Sequence, residues 1–178
     1  MNLIDRESSM LVVIDVQDRL MPHISDSGKT MKNIVKLLKF AKIVGLPLIL
    51  TEQEKLGTTA PEIKAHAESA VVKKEFNCLE CGEFLGKLRA LGRKNLVIAG
   101  VETHICVMQT ALDAISKGYN VHVVSDATSS RTVDEKNLSL ERMRSAGVVI
   151  TTTEALIFEL LKRAGTDEFR AALELVKN

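Results

Sequence analysis

Tryptophan is absent from this chain, tyrosine occurs once and phenylalanine five times. So small an aromatic supply leaves little surface to sandwich a flat heteroaromatic ring such as a pyridine. Net charge is also missing: 24 basic residues against 23 acidic ones leave +1, so no strong field gathers nucleic acid or an acidic membrane. The apolar runs at 46–50 and 97–99 fall far short of the roughly 20 residues that a membrane span needs. Cysteines number three, an odd and low count that closes no disulfide framework and suits a reducing compartment. Residues 1–6 lack a basic segment followed by a long apolar one, so no secretory signal is read there and a cytoplasmic location is expected.

What is present is 178 residues with 46% hydrophobic content, enough for one well-filled core and too short for two domains of ordinary size. Residues 1–178 are therefore read as a single domain, without repeat, low-complexity tract or linker.

Strand and helix patterns alternate along it. Apolar strands are predicted at 10–14, 46–51, 70–73, 95–100, 121–124 and 148–151. Helical periodicity falls at 31–44, 84–91, 106–117, 139–146, 155–161 and 169–176, with Thr151-Thr152-Thr153-Glu154 as a cap for the fifth of these. Strands that are apolar throughout and joined by helices predict an α/β fold, a six-stranded, mainly parallel sheet with helices on both faces, for which a doubly wound order 3-2-1-4-5-6 is supposed. Such a sheet collects ligands outside the carboxyl ends of its strands, where strand order reverses.

Two chemically active residues fall there. Asp15 ends the first strand, and Cys106 follows the fourth at the start of a helical pattern, where free amides and the helix dipole favour thiolate over thiol. The two strands are neighbours about 4.8 Å apart, so an acid and a thiol flank one crevice. Each also has an ordinary reading. A free cysteine most often packs in the core, and an aspartate after a strand can cap a helix or stand in solvent. Cys78 and Cys81 have a spacing that fits incidental packing, dithiol redox chemistry or half a zinc site. The four histidines at 23, 66, 104 and 122 supply no second ligand pair for the last of these.

Three stretches carry a resemblance: Val13-Ile14-Asp15-Val16-Gln17, Val72-Lys73-Lys74-Glu75-Phe76-Asn77 and Gly100-Val101-Glu102-Thr103-His104-Ile105-Cys106-Val107. They resemble the catalytic motifs of isochorismatase-like cysteine hydrolases, and the likeness covers nearly the whole chain. Thr51-Glu52-Gln53, Asp126-Ala127-Thr128-Ser129-Ser130-Arg131 and Arg142-Met143-Arg144-Ser145-Ala146-Gly147 resemble the branch called isochorismatase domain-containing proteins.

The resemblance implies a triad of Asp15, Lys73 and Cys106. The family's lysine stands three residues before an aromatic, so Phe76 selects Lys73, with Lys74 as the alternative. It further implies a non-proline cis peptide at Val101–Glu102 that aims the backbone amides of Glu102 and Cys106 at an oxyanion, and pocket positions at Gln17, Gln53, Phe76 and Ile105. Where nicotinamidases of the wider family carry an Asp-x-His metal group, this chain has Glu52-Gln53-Glu54-Lys55. No catalytic metal and no cofactor are therefore expected, and His66 is read as surface. Asn77 replaces the serine of many relatives at the pocket edge. Asp126, Ser129 and Arg131 are read as fixing a loop.

Carboxylate and cation around a thiol give a base for its proton and a charge for the thiolate, the requirement for a thioester-forming nucleophile. The expected activity is hydrolysis of a C–N, amide-type bond in a small molecule. A metal-dependent nicotinamidase and a non-enzymatic flavodoxin-like binding protein are the alternatives. Nucleic acid and membrane are not expected partners, whereas a homo-oligomer is expected by resemblance.

Overall fold

The computed structural model describes residues 3–67 and 69–177. Its sheet has six strands in the order β3-β2-β1-β4-β5-β6, every neighbouring pair parallel. The strands are β1 (Ser9–Ile14), β2 (Leu48–Gln53), β3 (Ala70–Lys73), β4 (Asn95–Val101), β5 (Asn120–Ser129) and β6 (Val149–Thr151). Between and after them lie α1 (Ser27–Val44), α2 (Pro61–Lys64), α3 (Gly82–Leu91), α4 (Met108–Ser116), α5 (Val133–Ser145), α6 (Thr153–Leu161) and α7 (Asp167–Lys177). Among the described residues no helix is long and apolar enough to cross a membrane.

Both faces of the sheet are covered, which is why its central strands read as unbroken apolar runs. Leu11, Val13, Val97, Ala99 and Val124 join one core cluster with Ile34 and Leu37 of α1 and Ile157 of α6. Met10, Val12, Ile14, Leu96, Ile98 and Val123 join the other, with Phe84 of α3 and Ala111 of α4. The period of two along each strand sorts these sets.

Several boundaries differ from the sequence reading, each for a physical reason. α1 starts four residues before the predicted Met31, because its first turn, Ser27-Gly28-Lys29, is polar and carries no apolar period. β2 begins at Leu48 rather than Leu46: the Leu46 amide still bonds back to the Ala41 carbonyl at 2.8 Å, closing α1. It then runs on through polar Glu52 and Gln53, which pair with β3. β5 extends past Val124 to Ser129, its Thr128 and Ser129 pairing with Gly100 and Val101 across a register shift that no hydrophobic pattern reveals. α5 begins at Val133, capped by Thr132, whose hydroxyl accepts from the Glu135 amide at 3.2 Å. Thr152 caps α6 in the same way at 3.4 Å. α2 lies in what reads as a polar loop.

The correction that matters most falls at Cys106. The predicted helix 106–117 is a π-helical turn, Thr103–Val107, followed by α4 from Met108. Cys106 sits inside that turn rather than at the first residue of a regular helix.

Candidate active site

Strand register assembles the site before any side chain is considered. Ile14 of β1 pairs with Thr51 of β2 on one side and with Gly100 of β4 on the other, and Gln53 pairs with Lys73. The residues following these pairs meet at the carboxyl end of the sheet. The approach of β4 to β1 requires glycine: a Cβ on Gly100 would lie 2.1 Å from the Ile14 carbonyl oxygen, and its φ is +115°. Asp15, next along, has φ 53°, a left-handed conformation that costs an aspartate about 1–2 kcal/mol and lifts its carboxylate off the sheet edge. The Val101–Glu102 peptide is cis.

Asp15 and Lys73 form an ion pair of 2.7 Å with both side chains out of solvent, at 1% and 0% exposure. The other Asp15 oxygen, Oδ1, accepts the Thr51 hydroxyl at 2.7 Å. The Lys73 ammonium also donates to Gln53 Oε1 at 2.8 Å and to the Glu75 carbonyl at 3.2 Å. Burial is the strongest single influence and works against its charge, but the Asp15 carboxylate together with the neighbouring Cys78 and Cys106 raises the Lys73 pKa overall. Lys74 is exposed, so the geometry puts Lys73 on Asp15.

Cys106 is buried, and its thiol lies within the influence of the Asp15 carboxylate. Burial first, and then the Asp15 charge, push its pKa well above the ordinary thiol range against the opposing pull of Lys73. This reverses the expectation of a resting thiolate. The dipole of a regular helix start is not what Cys106 meets, and a buried carboxylate is a stronger neighbour. Cys106 therefore rests as the thiol beside the Lys73–Asp15 ion pair.

The remaining candidates divide. Gln17 is fully buried, and its amide is consumed by backbone: Oε1 accepts from the Gln53 amide at 2.8 Å, while Nε2 donates to the Gln53 and Gly57 carbonyls at 3.0 and 2.9 Å. It faces a loop rather than a pocket. Gln53 points at Lys73, whereas Phe76 is 53% exposed and Ile105 half-buried beside Cys106. Glu102 anchors the π-helical turn, its carbonyl accepting from the Ile105 and Val107 amides at 3.1 and 3.2 Å.

Glu102 also brings in a residue that the sequence reading kept out of the site. Its buried carboxylate pairs with Arg131 at 3.0 and 3.4 Å. Asp126 and Ser129 fasten loops: Asp126 Oδ1 receives the Thr153 amide and hydroxyl at 2.8 and 2.9 Å, and Ser129 donates to the Ser25 carbonyl at 2.6 Å. Thr51 was missed as a site residue, since a threonine in a strand ordinarily signals only β propensity.

Asn77 caps the short turn Cys78–Glu80 and donates to Asp113 of α4 at 2.8 Å. Cys78 and Cys81 are buried free thiols, and burial pushes Cys78 up to about 12. Glu52, at the position of the metal group in nicotinamidases, spends one carboxylate oxygen on the Thr59 amide and hydroxyl, both at 2.6 Å. Among the described residues no group of three or more His, Cys, Asp or Glu is placed to hold a metal ion.

A doubly wound parallel sheet bearing this trio at its switch point has the layout of an isochorismatase-like α/β hydrolase. The Isochorismatase domain model matches residues 9–155, and the chain belongs to the isochorismatase family. It is 36% identical to a protein of Phytophthora sojae named secreted isochorismatase effector Isc1, over 96% of this chain and 85% of that protein. Mouse isochorismatase domain-containing protein 2A is 34% identical over 96% and 84% of the two chains. Among solved structures, the MAR1 ribonuclease of Caenorhabditis elegans superposes with a TM-score of 0.92 at 31% identity, covering 99% of this chain and 93% of that one. The Escherichia coli YcaC gene product, titled an octameric hydrolase of unknown specificity, gives 0.92 at 29% identity over 98% and 89%.

Proposed function

We propose that this chain is a cysteine-dependent hydrolase, a single domain over 1–178, that cleaves an amide-type C–N bond of a small molecule through a thioester on Cys106. The observation that carries this reading is the buried Asp15–Lys73 ion pair at the carboxyl end of the sheet, with the buried Cys106 thiol under the influence of its carboxylate. Asp15 takes the thiol proton as Cys106 Sγ attacks the substrate carbonyl. The same carboxyl group returns the proton to the departing nitrogen as the C–N bond breaks. Water then attacks the thioester, giving its proton to Asp15; the C–S bond breaks, Asp15 passes that proton to the Cys106 sulfur, and the acid product is released. Lys73 stays charged throughout and stabilises whichever of the two neighbours is anionic. The backbone amides of Glu102 and Cys106 receive the oxyanion.

Because Asp15, Lys73 and Cys106 are all nearly closed off from solvent, the reading favours a compact substrate entering past Phe76 and Ile105. It needs no metal, nucleic acid or membrane. The octameric YcaC supports a homo-oligomer, for which light scattering on the purified chain is the direct measurement. The three free cysteines support a reducing, cytoplasmic setting, although the Phytophthora relative is named as secreted.

The test is a panel of small primary and secondary amides incubated with the chain and with Cys106→Ala. Acid-quenched samples are weighed by mass spectrometry. An acyl adduct on Cys106 with release of the amine supports the mechanism. Amide turnover that survives in Cys106→Ala overturns it.

A further inference from the structure

The three protons of the Lys73 ammonium are all engaged, and only one of their acceptors belongs to the triad. Asp15 Oδ2 stands at 2.7 Å, Gln53 Oε1 at 2.8 Å and the Glu75 carbonyl at 3.2 Å. Gln53 is in turn held at every polar point that the structure records for it. Its Nε2 donates to the Lys74 carbonyl at 2.8 Å, and its own amide and carbonyl are gripped by the buried Gln17 side chain at 2.8 and 3.0 Å. Gln17 lies two residues after Asp15, so the strand that bears the base also fixes the lysine opposite it. Gln17 spends both of its Nε2 protons on backbone carbonyls, and the Gln53 side chain bridges the Lys73 ammonium and the Lys74 carbonyl.

We infer that Gln53, locked by Gln17, is a positioning residue that holds the Lys73 ammonium on Asp15, making Lys73 a fixed charge rather than a proton carrier. The inference rests on the cysteine-hydrolase reading and assigns within it two residues whose motif positions suggest substrate contact. Each ammonium proton already has an acceptor, so Lys73 cannot turn toward a substrate without abandoning one. Gln53 supplies the neutral acceptor that leaves the full positive charge facing Asp15 and Cys106. A carboxylate in its place would divide that charge between two anions.

The experiment uses iodoacetamide on the full chain, with labelling of Cys106 followed by mass spectrometry across pH for wild type, Gln53→Met, Gln53→Glu and Asp15→Asn. Gln53 is only half-buried, so its two variants are expected to fold, which circular dichroism checks. Losing one hydrogen bond to a charged group lowers the Cys106 labelling rate of Gln53→Met about 10- to 100-fold at neutral pH. In Gln53→Glu the acidic limb of the rate profile moves up by about one pH unit, because the added carboxylate offsets the lysine charge that keeps protons off the nucleophile pair. A merely structural glutamine would leave that limb in place. Wild-type rate and limb in both Gln53 variants, with an altered profile in Asp15→Asn, overturn the positioning role alone. An Asp15→Asn profile identical to wild type overturns the hydrolase reading beneath it.

Discussion

Asp15→Asn makes Cys106 easier to ionise and at the same time removes catalysis. The carboxylate charge opposes ionisation of the Cys106 thiol, and any two unit charges at about 4 Å in surroundings of effective dielectric about 20 interact by roughly 4 kcal/mol. Taking that repulsion away lowers the thiol pKa by about three units, at 1.36 kcal/mol per unit. Burial still raises it and Lys73 still lowers it, so the midpoint descends toward the ordinary thiol range. Asparagine suits the site sterically: it is close to isosteric and tolerates the φ of 53° that Asp15 adopts. The assay is the rate of Cys106 alkylation against pH, site by site, with amide hydrolysis measured on the same samples. Wild type labels through Asp15-assisted proton removal and its rate is flat through neutral pH. Asp15→Asn loses that plateau and its rate climbs with pH to the lowered midpoint, while hydrolysis falls by about 100- to 10,000-fold for want of the base. If Asp15→Asn keeps the wild-type profile, or ionises only at higher pH than wild type, the electrostatic argument is wrong.

The other expectations concern stability. Lys73→Met strands the Asp15 carboxylate in the interior and costs about 3–5 kcal/mol in urea unfolding, much of it regained in the Asp15→Asn/Lys73→Met double variant; a single variant as stable as wild type contradicts the buried pair. Gly100→Ala drives a Cβ into the Ile14 carbonyl at a φ of +115°, and a loss under about 2 kcal/mol would show that β4 can retreat. Thr132→Ala removes the α5 cap for about 1 kcal/mol and leaves labelling of Cys106 unchanged, a check that stability loss does not by itself mimic a site defect. Burial holds the His122 imidazole below its ordinary value, with Glu159 opposing, so the unfolded chain binds the extra proton first. The stability from its neutral form is present above about pH 6.5 and drains away as pH falls below it. Chemical denaturation from pH 7 to 5 should therefore show a shallower slope in His122→Gln than in wild type, and parallel slopes would remove His122 from the account.

The alternation of apolar strands and helical periods determined the architecture by itself, because a strand buried on both faces has no polar residues to break its run and each crossover helix must be amphipathic. That β1 and β4 are neighbours followed only once the doubly wound order was supposed, and with it the expectation that Asp15 and Cys106 flank one crevice. The motif resemblance pointed to Lys73 and to the cis bond, both present in the structure, and it is the source of the oxyanion role proposed for the Glu102 and Cys106 amides. What remained hidden was polar structure. β2 continues through Glu52 and Gln53, which pair with β3, and β5 resumes pairing with β4 at Thr128 and Ser129, where no hydrophobic period marks them.

Only the tertiary structure decided the state of the thiol, because the pKa of Cys106 depends on burial and on a carboxylate 91 positions away in the chain. The same holds for the two glutamines. A glutamine in a motif can meet a substrate or a backbone, and the difference lies in what stands within 3 Å of its amide. For Gln17 that is the backbone of residues 53 and 57, brought to it by strand pairing and a loop rather than by anything in its own neighbourhood of the sequence.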